Sequence, residues 1–219
     1  TDQHMACLAK LIWEGGQDGL FAVGSQGIQY ALVEYWREKG WIEKQDKCAG
    51  AGPVEQVICI SGSVSPQTSE QINWALKHGF EGLSVDVKSM LQTPEQTSED
   101  IIIKALDLLA SGQSLVIYTA DGRKGFETKL SAAESSQIGQ TLGQILKQLL
   151  QRTDIRRAII SGGDTSGHAA QQLNLFALQA TSPTVPGAPL LKACSADPEL
   201  DGLELPLKGV QMGTVDYFD

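Results

Sequence analysis

Short runs of β-branched and apolar residues alternate along this chain with longer segments whose apolar positions recur at helical spacing. The runs Leu20–Val23, Gln56–Ile60, Leu83–Val87, Leu115–Thr119 and Ala158–Ser161 predict strands, and Leu203–Lys208 predicts one more short strand near the end. Between them, Ile28–Lys39, Ser69–Lys77, Glu99–Ala110 and Ile138–Leu150 predict amphipathic helices, with Ser98 or Asp100 as the start of the third. Strand and helix in alternation predict an α/β fold, a mostly parallel sheet with helices on both faces in three layers. The last fifty residues differ: Pro183, Pro186, Pro189, Pro198 and Pro206 punctuate what reads as loops and short edge strands. The polar, glycine-rich stretch Glu43–Pro53 reads as a linker, so residues 1–42 and 43–219 are expected to belong to separate domains.

Composition narrows the classes of partner. With 219 residues, 42% hydrophobic and 20% charged, the chain is long enough for one fair-sized core. A net charge of −9 without clustered Lys and Arg argues against nucleic acid and against an anionic membrane surface. No run approaches the roughly 20 apolar residues of a membrane-spanning helix. Cys7, Cys48, Cys59 and Cys194 are widely spaced, which fits free thiols in a reducing cytoplasm, and three scattered histidines lack metal-ligand spacing.

Chemistry concentrates where strands break into glycines and hydroxyls. In Ile159–Gly167 (IISGGDTSG) an apolar run gives way to Gly162 and Gly163 and then to a helix. Glycines let the backbone approach a ligand, and the free N–H groups and dipole of the following helix favour a phosphate. A tight strand-to-helix turn capped by Asp164 or Thr165 is the plain structural alternative. Val23-Gly24-Ser25-Gln26-Gly27 and Ile60-Ser61-Gly62-Ser63-Val64-Ser65 share the arrangement, so three such turns on one sheet edge would line a single cleft. Neither a Walker loop nor a G-x-G-x-x-G fingerprint is present. Ser61, Gly62, Ser63 and Ser65 offer hydroxyl and amide donors to phosphate or cap the helix near Thr68. Ser166 and Gly167 extend the second turn. Asp164 would hold Mg²⁺, act as a base or cap the helix. Lys208 would bring a cation to phosphate, against the ordinary expectation of a surface lysine. Asp121-Gly122-Arg123-Lys124 reads as a further polar edge or as a simple turn.

Three segments carry a resemblance. Ile58–Thr68 (ICISGSVSPQT), Ser161–Gly167 (SGGDTSG) and Leu207–Phe218 (LKGVQMGTVDYF) resemble, in order and approximate spacing, the C-terminal nucleotide-binding domain of the four-carbon acid sugar kinases. Leu20–Leu32 (LFAVGSQGIQYAL) looks like the tail of that family's N-terminal, sugar-acid-binding domain. The resemblance implies phosphorylation of threonate, erythronate or 3-oxo-tetronate with ATP and Mg²⁺. It also implies that Ser63 contacts ATP, that Gly162, Gly163, Asp164 and Thr165 wrap its phosphates, and that Gly213 lies against the nucleotide. Two departures matter. The family's first domain opens with Asp-Asp-x-Thr-Gly, and no Asp-Asp pair occurs here. The final turn reads Lys208-Gly209-Val210-Gln211-Met212-Gly213 where Lys-Ser-Gly-Asn-Phe-Gly is commoner. The chain, which does not begin with Met, is therefore expected to be a fragment or shortened product that binds nucleotide but is inactive alone, with the sugar acid bound by the missing domain and Glu43–Pro53 as hinge.

Two other readings stand beside this one. In the first, Ser161–Asp164 is the analogue of the Gly-x-Gly-Asp turn of ribokinase-like kinases, with Asp164 as base. In the second, the chain is a non-catalytic interaction or effector module. Apolar residues near Trp36 and Trp41 are read as a contact for the missing domain or for a second copy in a homodimer, or as core of the first helix and its exit.

Overall fold

The computed structural model describes residues 2–16, 21–43, 51–120, 130–185 and 187–218. The chain divides into two compact units, Thr1–Cys48 and Ala49–Asp219.

The first unit holds α1 (Asp2–Gly15) and α2 (Gln26–Glu38), which enclose a small cluster of Ala9, Ala31 and Tyr35. Trp13 meets Trp36 edge-on at 5.0 Å and leans on Trp41 at 5.5 Å. Trp36 is thus part of this cluster, while Trp41 stays 55% exposed. The strand expected over Leu20–Val23 is not found: Phe21 and Val23 are 98% and 95% exposed and outside any ladder, and Leu20 lies outside the described residues. An apolar run becomes a strand only where another strand pairs with it, and α1, unforeseen from the sequence, supplies a helix instead.

The second unit is built on five parallel strands. They are β1 (Ile58–Ser61), β2 (Phe80–Ser84), β3 (Ser114–Tyr118), β4 (Ala158–Ser161) and β7 (Leu207–Lys208), in the order β2-β3-β1-β4-β7. The helices are α3 (Pro66–Lys77), α4 (Val87–Gln92), α5 (Pro94–Leu109), α6 (Ala132–Leu150) and α7 (Gly163–Gln172). Successive residues of β1 face opposite sides, as the strand period of two requires. Ile58 and Ile60 join α4, α5, α6 and α7 in one core, whereas Cys59 joins Ile72 and Ala75 of α3 in another, with Phe218. Both faces being covered explains why β1 and β4 are uninterrupted apolar runs. The three-layer α/β arrangement read from the sequence is the one observed.

Local chemistry corrects several boundaries. The strand expected over Leu83–Val87 ends at Ser84, because Asp86 accepts from Ser89 N–H at 2.8 Å and starts α4 at Val87. The Ser89 hydroxyl, which donates to the same carboxylate at 2.8 Å, and this N–H hold the Asp86 carboxyl below the usual carboxylate range. α5 starts at Pro94, four residues before Ser98, whose hydroxyl donates back to Pro94 O at 2.7 Å. Ser131 and Glu134 form a reciprocal capping box at the start of α6. Of Leu203–Lys208 only the last two residues form a strand, since Pro206 has no N–H to give. The proline-punctuated tail also holds a hairpin, β5 (Leu175–Val185) with β6 (Ala188–Ser195), where loops and short edge strands were expected.

Among the described residues Cys7, Cys59 and Cys194 are free thiols, and no helix is long and apolar enough to cross a membrane. Asp121–Lys124 lies outside the described residues, as does most of the Glu43–Pro53 segment.

Candidate functional site

The sheet order locates a crevice. From β1 the chain runs by way of α3, on one face, to β2 at the far edge; from β4 it enters α7 on the other face and returns as β7 on the opposite side. β1 and β4 are neighbours whose connections leave in opposite directions, so their carboxyl ends form the switch point where open α/β sheets bind ligands. Ser61–Ser65 and Ser161–Gly167, two of the three turns singled out above, lie there. The third, Val23–Gly27, follows no strand and belongs to the first unit. In its place the second unit supplies the turn after β7, because Gly162 N–H donates to Lys208 O at 3.0 Å.

Glycines bring these turns together. A Cβ on Gly62 would stand 2.4 Å from Thr165 Oγ1, so only glycine lets the β1 turn touch α7. Gly162, with φ +132°, is the residue before α7, and no side chain caps the helix. The expected cap by Asp164 or Thr165 is therefore corrected. Thr165 instead fills the space between Gly62 and Gly162, while Asp164 is exposed in the first turn. The opening N–H groups of α7 consequently have no capping side chain. Ser166 is buried and donates to Gly162 O, and Gly167 faces open space.

On the β1 side the serines form a ladder. Ser63 N–H donates to Ser61 Oγ at 3.4 Å, Ser65 N–H to Ser63 Oγ at 3.3 Å, and Thr68 N–H to Ser65 Oγ at 3.1 Å. Ser65 is thus the N-cap of α3, with Pro66 as first helical residue, and its hydroxyl hydrogen has Thr68 Oγ1 and Val210 O in reach. Ser61 and Ser63 accept through oxygen and keep their hydroxyl hydrogens to donate.

Lys208 departs furthest from expectation. It is fully buried rather than on the surface, and Nζ donates at 3.2 Å to Thr68 Oγ1 and to Gly209 O. No carboxylate among the described residues pairs with it, and desolvation pulls its pKa down to about 8. Ser161, its partner in register, is also fully buried, and its Oγ has no hydrogen-bond partner among the described residues. A buried cation without an acid among the described residues, an unsatisfied buried hydroxyl and an uncapped helix start each offer positive charge or hydrogen to an anion. Two cavities of about 600 and 700 Å³ open on the amino-terminal edge and include none of these residues.

Residues 58–218 match the family model described as the nucleotide-binding C-terminal domain. The chain belongs to this family. It is similar to a 3-oxo-isoapionate kinase of Paraburkholderia graminis, 34% identical over 99% of this chain and 49% of that protein. It is similar also to a 3-oxo-tetronate kinase of Cupriavidus necator, 28% identical over 90% and 44%. The chain therefore spans about half the length of the curated relatives it matches. Its fold is shared with a crystal structure described as a putative tRNA synthase from Salmonella typhimurium (TM-score 0.68, 20% identity, 100% and 49% covered). A domain of unknown function from Bordetella bronchiseptica, described as a domain-swapped dimer with bound citrate, shares it too (TM-score 0.61, 17% identity, 99% and 49% covered).

The resemblance to the four-carbon acid sugar kinases is borne out by these relatives, and the nucleotide-binding domain accounts for most of the chain. Sequence reasoning gave no role to two buried polar residues of α3, Thr68, which accepts from Lys208, and Gln71, whose amide donates to Met212 O and Thr214 O in the turn after β7. Their signal was that of polar residues, one helical turn apart on α3, on a face otherwise reading as core. Among the described residues no three His, Cys, Asp or Glu gather as metal ligands.

Proposed function

We propose that residues 49–219 bind the ATP of a kinase that phosphorylates a four-carbon sugar acid such as threonate, erythronate or 3-oxo-tetronate. The observation that carries this reading is Lys208, a fully buried ammonium with no acid opposite it among the described residues, on the strand beside β4 at the carboxyl end of the sheet. ATP fits the residues present. The N–H groups of Gly163, Asp164 and Thr165 face the phosphates, Ser61, Ser63 and Ser161 donate hydroxyl hydrogens, Lys208 supplies the cation, and Gly213 borders the nucleoside. Mg²⁺ fits Asp164, because magnesium bound to a nucleotide needs one or two carboxylates besides phosphate oxygens and water. Bound Mg²⁺ would neutralise phosphate charge; these side chains hold and orient the triphosphate, which is most of what phosphoryl transfer asks of a protein.

The acceptor hydroxyl and its base are assigned to sequence outside these residues, with Leu20–Leu32 as the tail of that sugar-acid-binding part. The absent Asp-Asp pair and the half-length match to the kinases support this. The 219 residues alone are expected to bind nucleotide without turning over sugar acid. ATP as co-substrate implies the cytoplasm, and the dimer described for the Bordetella bronchiseptica protein supports a homodimer.

Calorimetric titration of Mg-ATP tests the site. Gly163 has room for a Cβ, with Val210 Cγ2 the nearest atom at 3.7 Å, so Gly163→Val is expected to fold normally while filling the crevice. Affinity should fall at least tenfold, about 1.4 kcal/mol. Asp164→Asn should weaken Mg-ATP several-fold and leave metal-free ATP unweakened. In wild type, Mg-ATP at 100 times its dissociation constant should stabilise the fold by about 2.7 kcal/mol. Unchanged binding in Gly163→Val would remove the nucleotide from this crevice. Phosphorylation of threonate by the 219 residues, abolished by Asp164→Asn, would instead establish the ribokinase-like reading.

A further inference from the structure

The turn after β7 is held almost wholly by α3. Ser65 Oγ lies 3.2 Å from Val210 O, Gln67 Nε2 donates to Gly213 O at 2.7 Å, and Gln71 Nε2 donates to Met212 O at 3.0 Å and Thr214 O at 2.8 Å. Four carbonyls of a five-residue segment are thus within reach of three side chains, the N-cap Ser65 of α3 and two glutamines one turn apart on one face of that helix. Gln71 is fully buried and both its amide hydrogens are committed, which fixes the orientation of the group and leaves Oε1 with no donor among the described residues. The two bonds to the turn are thus held at the cost of one buried acceptor without a donor. Keeping Gln71 makes sense where the shape of the turn itself matters.

That shape is specific. Gly213 has φ +84°, and a Cβ on it would stand 2.5 Å from the Tyr217 ring, so the turn reverses at this residue and packs on the chain that follows. Val210, 37% exposed, is the side chain nearest Gly163 across the crevice. The phosphate-binding groups all lie at the β1 and β4 ends and at Lys208; the turn continues past them and offers an apolar rim and a bare backbone in place of charge. Such a surface suits a sugar ring or a base, not a phosphate.

We infer that Gln71, with Gln67, is a positioning residue that clamps the Val210–Thr214 turn as the nucleoside-binding wall, so that it governs affinity for the nucleoside part of the ligand and not for its phosphates. This rests on the nucleotide reading proposed above. It assigns selectivity for a nucleotide over a bare polyphosphate to the donors of α3. A helix amide that merely stabilised the fold would affect both ligands through one common loss.

The test is calorimetric titration of the 219-residue protein with Mg-ATP and, separately, with magnesium tripolyphosphate. Gln71→Met keeps length and removes both amide hydrogens; Gln67→Met does the same at a half-exposed position and serves should the first variant fold poorly. Wild type should bind both ligands, ATP the more tightly. Each variant should lose at least tenfold in affinity for Mg-ATP and stay within twofold for tripolyphosphate, while amide exchange of Gly213–Tyr217 accelerates. Equal loss for both ligands, or no loss for either, overturns the clamp while leaving the phosphate site intact. Wild type binding tripolyphosphate and ATP equally well does the same, since the turn then has no nucleoside to hold. Wild type binding neither ligand overturns the nucleotide reading itself, and the clamp with it.

Discussion

Lys208→Met is expected to raise the melting temperature of the ligand-free protein and to remove most of its nucleotide affinity. The two effects have opposite signs because one group causes both. Lys208 is fully buried with only Thr68 Oγ1 and Gly209 O as partners, so its charge is held at a desolvation cost that no acid among the described residues offsets. Replacing a buried charge by a well-packed apolar side chain is commonly neutral or stabilising by about 1–4 kcal/mol. A charge-assisted contact to phosphate contributes about 1.5–3 kcal/mol, so its loss weakens ATP roughly ten- to a hundredfold.

The same residue fixes the pH dependence. Its pKa is lowered from 10.5 to about 8 in the folded, ligand-free protein. Below pH 8 folded and unfolded chains both carry the proton, and stability does not change with pH on this account. Between about pH 8 and 10.5 the unfolded chain holds the proton and the folded one has released it, so stability rises with pH across that window. Nucleotide binding runs the other way. A phosphate favours the ammonium, so affinity is level below pH 8 and falls, up to tenfold per unit, above it. Both dependences should vanish in Lys208→Met. Melting curves and titrations from pH 7 to 10 report them, and a variant that melts lower and binds ATP as before would refute the assignment.

Gly143→Leu should displace α7 and with it the proposed phosphate cradle. A Cβ on Gly143 would lie 2.5 Å from Ala169 O and 2.7 Å from Ala169 Cα, and one on Gly139 would lie 2.7 Å from His168 Cβ. Backbone atoms cannot yield as the end of a side chain can, so the two helices must separate. Even Gly143→Ala, which helix propensity alone would favour by about 1 kcal/mol, is expected to destabilise by about 1–3 kcal/mol. Gly143→Leu should exceed this and weaken ATP in parallel, because the displaced helix carries Gly163, Asp164 and Thr165. Gly167→Ala on the open side of α7, with nothing within 4 Å, is the control and should stabilise by about 0.5–1 kcal/mol. Urea midpoints for the three variants decide the matter; a Gly143→Ala protein as stable as wild type would show that the helices have room to relax.

Much of this molecule was legible in its sequence. The buried strands β1, β3 and β4 appear as apolar runs because a parallel sheet covered on both faces tolerates no polar alternation, and the runs of β1 and β4 end in serine and glycine because the chain must turn there. Ser61–Ser65, Ser161–Gly167 and Lys208 were each visible as local chemistry. Spacing along the chain determined these features, since each depends on a few adjacent residues. The tertiary structure decided the rest. It brought together two of the three glycine turns and replaced the third by the segment after β7, because adjacency of strands follows from which helix covers which face. It left Phe21 and Val23 exposed without a ladder, where the same run beside a partner would have paired. It buried Lys208 with no acid beside it among the described residues, and it placed Gln71 beneath the last turn, 141 residues away from Met212 O along the chain. Burial and pairing depend on what arrives from far along the chain, and no local pattern records that.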